Sequence, residues 1–350
     1  MNDKMKKMAD FLDKANKKMK KEYGASVLYT GDDAGVFKPF PTGFPTIDHI
    51  NSGIGGFPRG GIVLIHGLPS TGKSSFVLES IRNAMEEDEN LTGLYIDVEN
   101  ALTEPFLKFK KIPTDRLTIT PLNTEDALTI AKNAIQEDIF DIVVIDSLAK
   151  LDSKDMVGGD IGEKKKRNQR ATIITEFLRF ITFTLRKSNT ALVLVNQEIE
   201  NQERMTKYDP KTILPCGQQQ KFSANLILQL KRSKKIKSGD KVVGYMCSVT
   251  ATKNKIAPHE RSKTMLSYIY NRGFVREISI LDYLEQIGIV KKSMGYYSFV
   301  DTKYYDGKFR VNDADEILQS IKDNFNLDLT KITPDDIEYE IDEEIDEMEA

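Results

Sequence analysis

The stretch "GIVLIHGLPSTGKSS", residues 61–75, decides the fold of this chain. An apolar run ends at Gly67, and four residues separate that glycine from Gly72, Lys73 and Ser74. Glycines let the backbone turn so that its amides point inward, where they and the start of a helix attract phosphate oxygens. We predict a strand, a phosphate-binding loop and a helix from about Lys73; a purely structural glycine turn is the weaker alternative.

This loop predicts ATP and Mg²⁺ as ligands. We expect Lys73 to contact the β- and γ-phosphates and the Ser74 hydroxyl to bind magnesium. The run "IVVIDS" ends on Asp146, whose carboxylate can reach the same magnesium through a water molecule. The predicted nucleotide-contacting residues are Gly67, Leu68, Pro69, Ser70, Thr71, Gly72, Lys73, Ser74, Ser75 and Asp146.

The stretch "TATKNKIAPHERS", residues 250–262, indicates which nucleotide base the site could recognise. A guanine-specific protein needs Asn-Lys-x-Asp at a strand end, whereas here Asn254 and Lys255 are followed by Ile256 and Ala257. The carboxylate that reads guanine is therefore missing, and GTP specificity is disfavoured. A small-molecule kinase would need an arginine-rich lid, and the obvious basic run lies elsewhere.

A general base for hydrolysis is predicted at Glu99, which ends the run "GLYIDVE" (residues 93–99). Ligands of open α/β sheets bind outside the carboxyl ends of the strands, where a carboxylate can orient or deprotonate a water. The alternative is an ordinary surface glutamate that precedes a helix.

Further apolar runs extend the pattern outward. Residues 93–99, 140–147 and 190–197 are short apolar segments, and a helical segment precedes each of the last two. This alternation predicts an α/β fold with a mostly parallel central sheet. The runs "NLILQLKR", "GYMCSVTATKNK" and "TMLSYIYN" follow without room for crossover helices, so we expect antiparallel strands that extend the same sheet.

Smaller elements flank this core. Residues 2–23 have the periodicity of an amphipathic helix, and "SVLYT" is a candidate strand. After residue 277 we expect a helix, a hairpin turning at Asp306 and Gly307, and a second helix. The predicted domains are 1–34 for oligomerisation, 35–276 as core, 277–333 as a small α+β domain and 334–350 as a disordered acidic tail.

The composition is that of a globular protein, with 40% hydrophobic and 29% charged residues in 350. No run reaches the length of a membrane span, and the lysine-rich start lacks the apolar centre of a signal peptide. The two cysteines form no disulfide framework or metal pattern. We therefore expect a reducing cytoplasm.

Charge is distributed unevenly along the chain. Residues 335–350 contain ten acidic residues and no basic one, and the other 334 residues carry 43 acidic and 50 basic ones, a net +7. A basic body with an acidic end indicates a polyanionic partner and an internal competitor for the same surface. A solubilising end is the simpler alternative for the tail.

Two long polar segments are candidate binding loops. Residues 155–170 combine flexible glycines with a basic helix start, which suits contact with phosphates, although such a charge run is often only a solvated face. Residues 198–222 form the second segment, and ordinary surface loops are the alternative for both.

Several of these motifs resemble the RecA recombinase family, most closely its phage UvsX-like branch. The similarity covers about residues 15–330 and includes, in the family order, residues 41–67, the phosphate loop, "YIDVENAL", "IVVIDSLAKL", "SNTALVLVNQ", "TKNKIAP" and the final helix-hairpin-helix. It implies a RecA-type ATPase core followed by a small C-terminal domain. By resemblance, Glu99 is the hydrolytic glutamate, Phe106 stacks near adenine, and Gln197 senses the γ-phosphate.

The resemblance also assigns the two lysines of the 250–262 stretch. It implies that Lys253 and Lys255 reach across the protomer interface to the ATP of the neighbour. Spacing alone places both lysines on one side of a strand, where a solvated strand edge is the alternative.

Both polar segments become DNA-binding loops under the resemblance. The second departs from the cellular pattern in carrying Glu198, Glu200 and Glu203, although "ENQE" is more similar to the phage branch. The implied DNA-binding residues are Gly158, Gly159, Lys164, Lys165, Lys166, Arg167, Arg170, Arg204, Met205, Lys207, Tyr208, Lys211 and Gly217. Ile213 and Leu214 are further candidates for insertion between bases, and Lys221 and Phe222 match a link to the neighbouring subunit.

The expected function is a DNA-dependent ATPase that forms helical filaments on single-stranded DNA and catalyses strand exchange. Double-stranded DNA is a second expected partner, and a single-strand-binding protein and a mediator protein are further candidates. A hexameric RecA-fold helicase and a non-catalytic, ATP-binding recombination mediator are the alternatives. A ring in electron microscopy indicates the first, and DNA binding without DNA-stimulated hydrolysis indicates the second.

Overall fold

A computed structural model describes residues 3–23, 37–152, 167–201, 206, 210–257 and 262–333. The chain divides into two compact units, residues 1–37 and 38–350. In the first, α1 spans Asp3–Tyr23, close to the predicted helix, and its Met5, Met8 and Phe11 are exposed. The candidate strand "SVLYT" and the acidic tail lie outside the described residues.

Strands and helices alternate through the second unit. Its strands are β1 (Pro39–Phe40), β2 (Phe57–Pro58), β3 (Ile62–Gly67), β4 (Gly93–Asp97), β5 (Leu117–Thr120), β6 (Ile142–Asp146), β7 (Ala191–Gln197), β8 (Ile199–Glu200), β9 (Thr212–Ile213), β10 (Leu226–Ser238), β11 (Lys241–Asn254), β12 (Lys263–Ile269), β13 (Gly273–Phe274), β14 (Val290–Ser293) and β15 (Tyr296–Phe299). Its helices are α2 (Lys73–Glu87), α3 (Glu104–Phe109), α4 (Glu125–Gln136), α5 (Arg167–Leu185), α6 (Gln219–Ser223), α7 (Arg276–Gln286) and α8 (Ala314–Phe325). A π-helical segment, Thr46–Ser52, precedes β2.

Within the described ranges, nine strands form one mixed sheet in the order β13-β12-β11-β10-β3-β7-β6-β4-β5. In this spatial order, the neighbours β3, β7, β6, β4 and β5 pair in parallel. The neighbours β10, β11, β12 and β13 pair in antiparallel fashion. The predicted mostly parallel sheet with an antiparallel extension is therefore confirmed.

One strand direction was predicted wrongly. The run "NLILQLKR" becomes β10, which pairs in parallel with β3 and is antiparallel only to β11. A parallel neighbour needs a long crossover. The segment between β7 and β10, which includes α6, supplies it. This segment, predicted only as a binding loop, is therefore also the crossover connection.

The central strands are buried on both faces, as their continuous apolar runs require. One face packs against α2 through Phe76, Val77 and Ile81, and the other packs against α4 and α5 through residues such as Ala131 and Leu178. Because the parallel strands share a direction, the residues at their carboxyl ends gather at one edge of the sheet.

The C-terminal elements have a core of their own, built from α7, α8 and the hairpin β14–β15. The predicted turn is wrong: the hairpin turns at Met294 and Gly295, with φ angles of 50° and 82°. Two successive positive φ angles suit the twist of a tight hairpin. Asp306 and Gly307 instead lie in a longer loop, after which Phe309 pairs with Tyr297.

These elements rest on the core through the π-helical segment. The hydroxyls of Thr46 and Ser279 are 2.9 Å apart, and the His49 ring stacks on Tyr283 with centroids 5.0 Å apart. No helix within the described ranges is long and apolar enough to cross a membrane. The four predicted domain limits stay a prediction.

A buried ion pair joins α2 to the end of α3 and yields a stability prediction. Lys110 Nζ donates to Glu79 Oε1 at 2.7 Å, with side chains 5% and 0% exposed. Lys110→Met should destabilise the fold by about 3–5 kcal/mol, because it leaves a buried carboxylate without its cation. Denaturant unfolding at neutral pH measures the loss.

Lys108 provides the matched control for that variant. It pairs with Glu104 at 2.5 Å, but these side chains are 73% and 74% exposed. Lys108→Met should change the free energy of unfolding by less than about 0.5 kcal/mol. Equal losses in the two lysine variants would contradict a structural role for the buried pair.

Candidate nucleotide and DNA sites

The phosphate loop connects β3 to α2, as the sequence predicts. Gly67 ends the strand, and a Cβ placed there would lie 2.2 Å from the Leu230 carbonyl oxygen. Gly72 has a φ of 93° and precedes the first residue of α2. Close backbone packing at Gly67 and the left-handed turn at Gly72 both favour glycine. The loop therefore leads directly into a helix start, where anions bind.

Lys73 lies against this loop. Its side chain is buried, and Nζ donates to the carbonyls of Gly67 at 3.1 Å and Leu68 at 2.9 Å. Burial lowers the pKa of Lys73 below its ordinary value, while the nearby carboxylates of Asp146, Glu198 and Glu99 act in the opposite direction. A phosphate oxygen can take the place of either carbonyl as the acceptor of Nζ.

Asp146 ends β6 beside the phosphate loop. Its Oδ2 accepts a hydrogen bond of 2.5 Å from the Tyr95 hydroxyl, and the Ser74 hydroxyl bonds to the same carboxylate. Burial raises the pKa of Asp146. A carboxylate next to a hydroxyl is the oxygen donor set that magnesium favours, so the residues present fit this metal. Tyr95 was not predicted; only its position beside β6, set by the strand order, makes it a partner.

Glu99 and Gln197 meet at the same edge of the sheet, although they are far apart in the chain. Gln197 Nε2 donates to Glu99 Oε1 at 2.9 Å, and the Ser147 hydroxyl donates to the same oxygen at 3.0 Å. Glu99 is exposed, which leaves it accessible to a water molecule. The candidate base and the candidate phosphate sensor are therefore in direct contact.

The sequence model of the RecA N-terminal domain matches residues 10–275 of the chain. The chain belongs to the RecA family. Protein RecA of Bacteroides thetaiotaomicron is 34% identical over 313 residues, which cover 89% of this chain and 91% of that protein. Protein RecA of Caldanaerobacter subterraneus subsp. tengcongensis is 33% identical over 332 residues, with 92% and 95% covered, and that of Clostridioides difficile is 33% identical over 319 residues, with 90% and 88% covered.

The lysines of this RecA-family chain converge on one end of α6. Lys253 Nζ donates to the carbonyls of Lys221 and Phe222, the latter at 3.1 Å, and Lys255 Nζ donates to the Phe222 carbonyl at 3.4 Å. Burial, followed by the adjacent charge of Lys255, lowers the pKa of Lys253 to about 8. Both lysines therefore lie on one side of the chain, as their spacing predicts.

Asn254 holds the turn between these lysines through side-chain hydrogen bonds that the sequence does not predict. Its Nδ2 donates to the carbonyls of Asn51 at 3.1 Å and Ser52 at 2.9 Å. Its Oδ1 accepts from the amides of Ile256 and Ala257. An asparagine can satisfy four backbone groups in this way. The sequence shows Asn254 as part of an incomplete guanine motif, which does not indicate this backbone role.

Phe106 is half-buried and packs against the core, whereas Phe109 of the same helix is 58% exposed. The role of Phe106 beside adenine stays a prediction.

The first candidate DNA loop is largely outside the described residues, which exclude Gly158, Gly159 and the lysines at 164–166. Arg167 begins α5. Arg170 is engaged within the protomer: it donates to the Ala149 carbonyl at 2.8 Å and pairs with Asp152 at 2.6 Å. A phosphate would have to compete with that ion pair, so Arg170 is the weakest of the described candidates for DNA contact.

The second candidate DNA loop leaves the sheet through a short neck, formed by antiparallel pairing of β8 with β9. Arg204, Met205, Lys207 and Tyr208 lie outside the described residues. Lys211 and Ile213 are exposed on the returning side, Leu214 is partly buried, and Gly217 has a φ of 80°. Phe222, at the end of α6, is 68% exposed. The structure thus places an exposed cation and exposed apolar side chains beside the neck.

Proposed function

We infer that this chain is a DNA-dependent ATPase that forms filaments on single-stranded DNA and catalyses homologous pairing and strand exchange in recombination and repair. Membership of the RecA family supports this function. The observation that carries it is the Gln197–Glu99 hydrogen bond, because Gln197 ends β7 immediately before the neck of the second loop. The candidate base is therefore hydrogen-bonded to the residue that directly precedes the candidate DNA-binding segment.

The proposed chemistry is hydrolysis of ATP with Mg²⁺. Lys73 and the loop amides bind the phosphates, and Ser74 and Asp146 hold the magnesium, which offsets phosphate charge when bound. Glu99 orients the attacking water and accepts its proton. Gln197, hydrogen-bonded to Glu99, is placed to respond to the γ-phosphate. Nucleotide and DNA then shift the equilibrium between the same two conformational states of the protein. Each ligand therefore changes the affinity of the protein for the other.

The lysines of the 250–262 stretch have a proposed role in the filament. Phosphoryl transfer is stabilised by cations around the transferred group, and a neighbouring subunit can supply them. Lys253 and Lys255 converge on one point of the surface rather than on their own phosphate loop. We assign them to the ATP of the adjacent protomer, with α1 as the segment that docks one protomer on the next.

Two finer assignments complete the proposal. The acidic residues at 198, 200 and 203 support placement in the phage UvsX-like branch; a sequence tree containing both branches tests that placement. We propose the bacterial cytoplasm, or that of an infected host, as the location of the protein. A single-strand-binding protein and a mediator are the proposed accessory partners, which co-purification on single-stranded DNA would detect.

The principal test is phosphate release with and without single-stranded DNA. We expect clear stimulation by DNA, and equal rates would overturn the proposed function. Binding should weaken steeply as salt rises and depend little on sequence, because the contacts are mainly to phosphates. Electron microscopy of the DNA complex should show open helical filaments; closed rings would instead support a hexameric motor.

The acidic tail yields a further prediction. Deletion of residues 335–350 removes ten acidic side chains and should strengthen binding to double-stranded DNA at low salt, because the tail competes for the basic surface. Added salt should narrow the difference between the truncated and full-length chains, since screening weakens that competition. Anisotropy titrations measure both effects. Weaker or equal binding by the truncated chain at low salt would contradict an autoinhibitory tail.

A further inference from the structure

A buried carboxylate connects the phosphate-loop strand with the neck of the second DNA loop. Glu198 follows Gln197 and is 5% exposed. His66 Nδ1 lies 2.8 Å from Glu198 Oε1, and Gln229 Nε2 donates to the same oxygen at 2.7 Å. The Thr212 hydroxyl donates to the other oxygen, Oε2, also at 2.7 Å.

The two oxygens of this carboxylate contact different parts of the molecule. Oε1 faces the sheet, because His66 belongs to β3 and Gln229 to the adjacent β10. Oε2 faces the neck, because Thr212 belongs to β9, which pairs with β8. These donors hold the pKa of Glu198 down at about 2, with the His66 hydrogen bond the largest cause. An ionised carboxylate makes stronger hydrogen bonds than a neutral amide would.

The backbone of Glu198 also reaches the nucleotide site. Its amide donates to the Gly67 carbonyl at 3.0 Å, and the same carbonyl accepts from Lys73 Nζ at 3.1 Å. A change in the position of Lys73 therefore alters the environment of a carbonyl to which Glu198 is bound. On the loop side, the Asn201 amide donates to the Lys211 carbonyl at 3.0 Å, which closes the neck beyond Thr212.

We propose that Glu198 is a positioning residue that transmits the nucleotide state to the second DNA loop, in parallel with Gln197. One side of its carboxylate is fixed to the strand that carries the phosphate loop, and the other fixes the returning side of the neck. Gln197 can act on the outgoing side of the loop only, whereas the Glu198–Thr212 bond extends the coupling to both sides. This inference rests on the proposed function, since it requires that the second loop bind DNA.

Thr212 offers a test that separates coupling from folding. Thr212→Val keeps the shape and removes the hydroxyl, whereas Thr212→Ser keeps the hydroxyl. Glu198→Gln keeps the shape and one acceptor oxygen but removes the charge and the second acceptor, and Glu200→Gln, on the exposed strand β8, is the matched control. For each full-length variant we would measure single-stranded DNA affinity by anisotropy with a non-hydrolysable ATP analogue and with ADP.

The informative quantity is the ratio of the two DNA affinities. Thr212→Val and Glu198→Gln should reduce that ratio by about fivefold or more, the lower range of allosteric coupling. Thr212→Ser and Glu200→Gln should keep the wild-type ratio. Binding of the ATP analogue without DNA should stay within about twofold of wild type in the Thr212 and Glu200 variants, because neither side chain is expected to contact the nucleotide. Glu198→Gln is compared at saturating nucleotide, because the Glu198 carboxylate also acts on Lys73.

Each contrary result has a distinct meaning. A wild-type ratio in Thr212→Val would overturn the inference and leave the proposed function intact. Equal weakening of DNA binding in both nucleotide states, together with a lower melting temperature, would also overturn it, because a merely structural residue affects both states alike. Absence of nucleotide-dependent DNA binding in the wild type would refute the proposed function, and the inference with it.

Discussion

Glu99→Gln should lower DNA-stimulated ATP turnover by about 10²–10⁴-fold, the range contributed by a general base. Glutamine keeps an acceptor oxygen for the hydrogen bonds from Gln197 and Ser147, so the edge of the sheet should keep its geometry. It cannot accept the proton of the attacking water. Filaments formed in ATP should therefore bind single-stranded DNA with wild-type affinity and persist for longer than those of the wild type.

Phosphate release at saturating single-stranded DNA measures the turnover, and anisotropy measures the binding. Glu104→Gln is the matched control, because Glu104 is an exposed glutamate at the start of α3. Unchanged turnover in Glu99→Gln would remove Glu99 from the proposed mechanism. A parallel loss of ATP binding would instead identify Glu99 as part of the binding site.

Lys253→Ala and Lys255→Ala should each reduce DNA-stimulated turnover by about 10²–10³-fold, the usual cost of removing one group that stabilises transition-state charge. Nucleotide binding by isolated protomers should be spared, because neither lysine contacts its own phosphate loop among the described contacts. Lys241→Ala is the control: it removes a cation from the opposite end of the same strand, β11.

Mixing two inactive variants tests action across the protomer interface. Lys255→Ala protomers keep Glu99, and Glu99→Gln protomers keep both lysines. In mixed filaments, some interfaces combine the intact Glu99 of one protomer with the intact lysines of the next, so turnover should reappear. Lysines that act within their own protomer would give no recovery. Full turnover in both single lysine variants would show that the 250–262 stretch is only a charged strand end.

Local motifs were predictable because their physical requirements lie within a few residues. The strand, glycines and helix start around Gly67 and Lys73 need only each other, so spacing alone was sufficient. Asp146 was identified for the same reason. The Glu99–Gln197 contact depends on strand order, and only the family resemblance had suggested a shared role for these residues.

Other features could not be obtained from local pattern. The sequence predicts the hairpin turn at Asp306–Gly307 because Asp-Gly is the stronger local turn signal. The turn lies at Met294 and Gly295 instead, because the apolar packing of the C-terminal elements decides which strands pair. Glu198 was noticed as an unusual acidic residue in a DNA loop. Its partners come from β3, β9 and β10, which no periodicity brings together.

The parallel pairing of β10 with β3 has a mechanical consequence. In the sheet, β3 lies between β7 and β10. The second loop departs from the end of β7 and its chain re-enters the sheet at the start of β10, so the two attachments of this loop straddle the strand that carries the phosphate site. The end of β7 lies beside Gly67, whereas the start of β10 lies beside Val63, so a pull on this loop would act on opposite ends of the strand that carries the phosphate site.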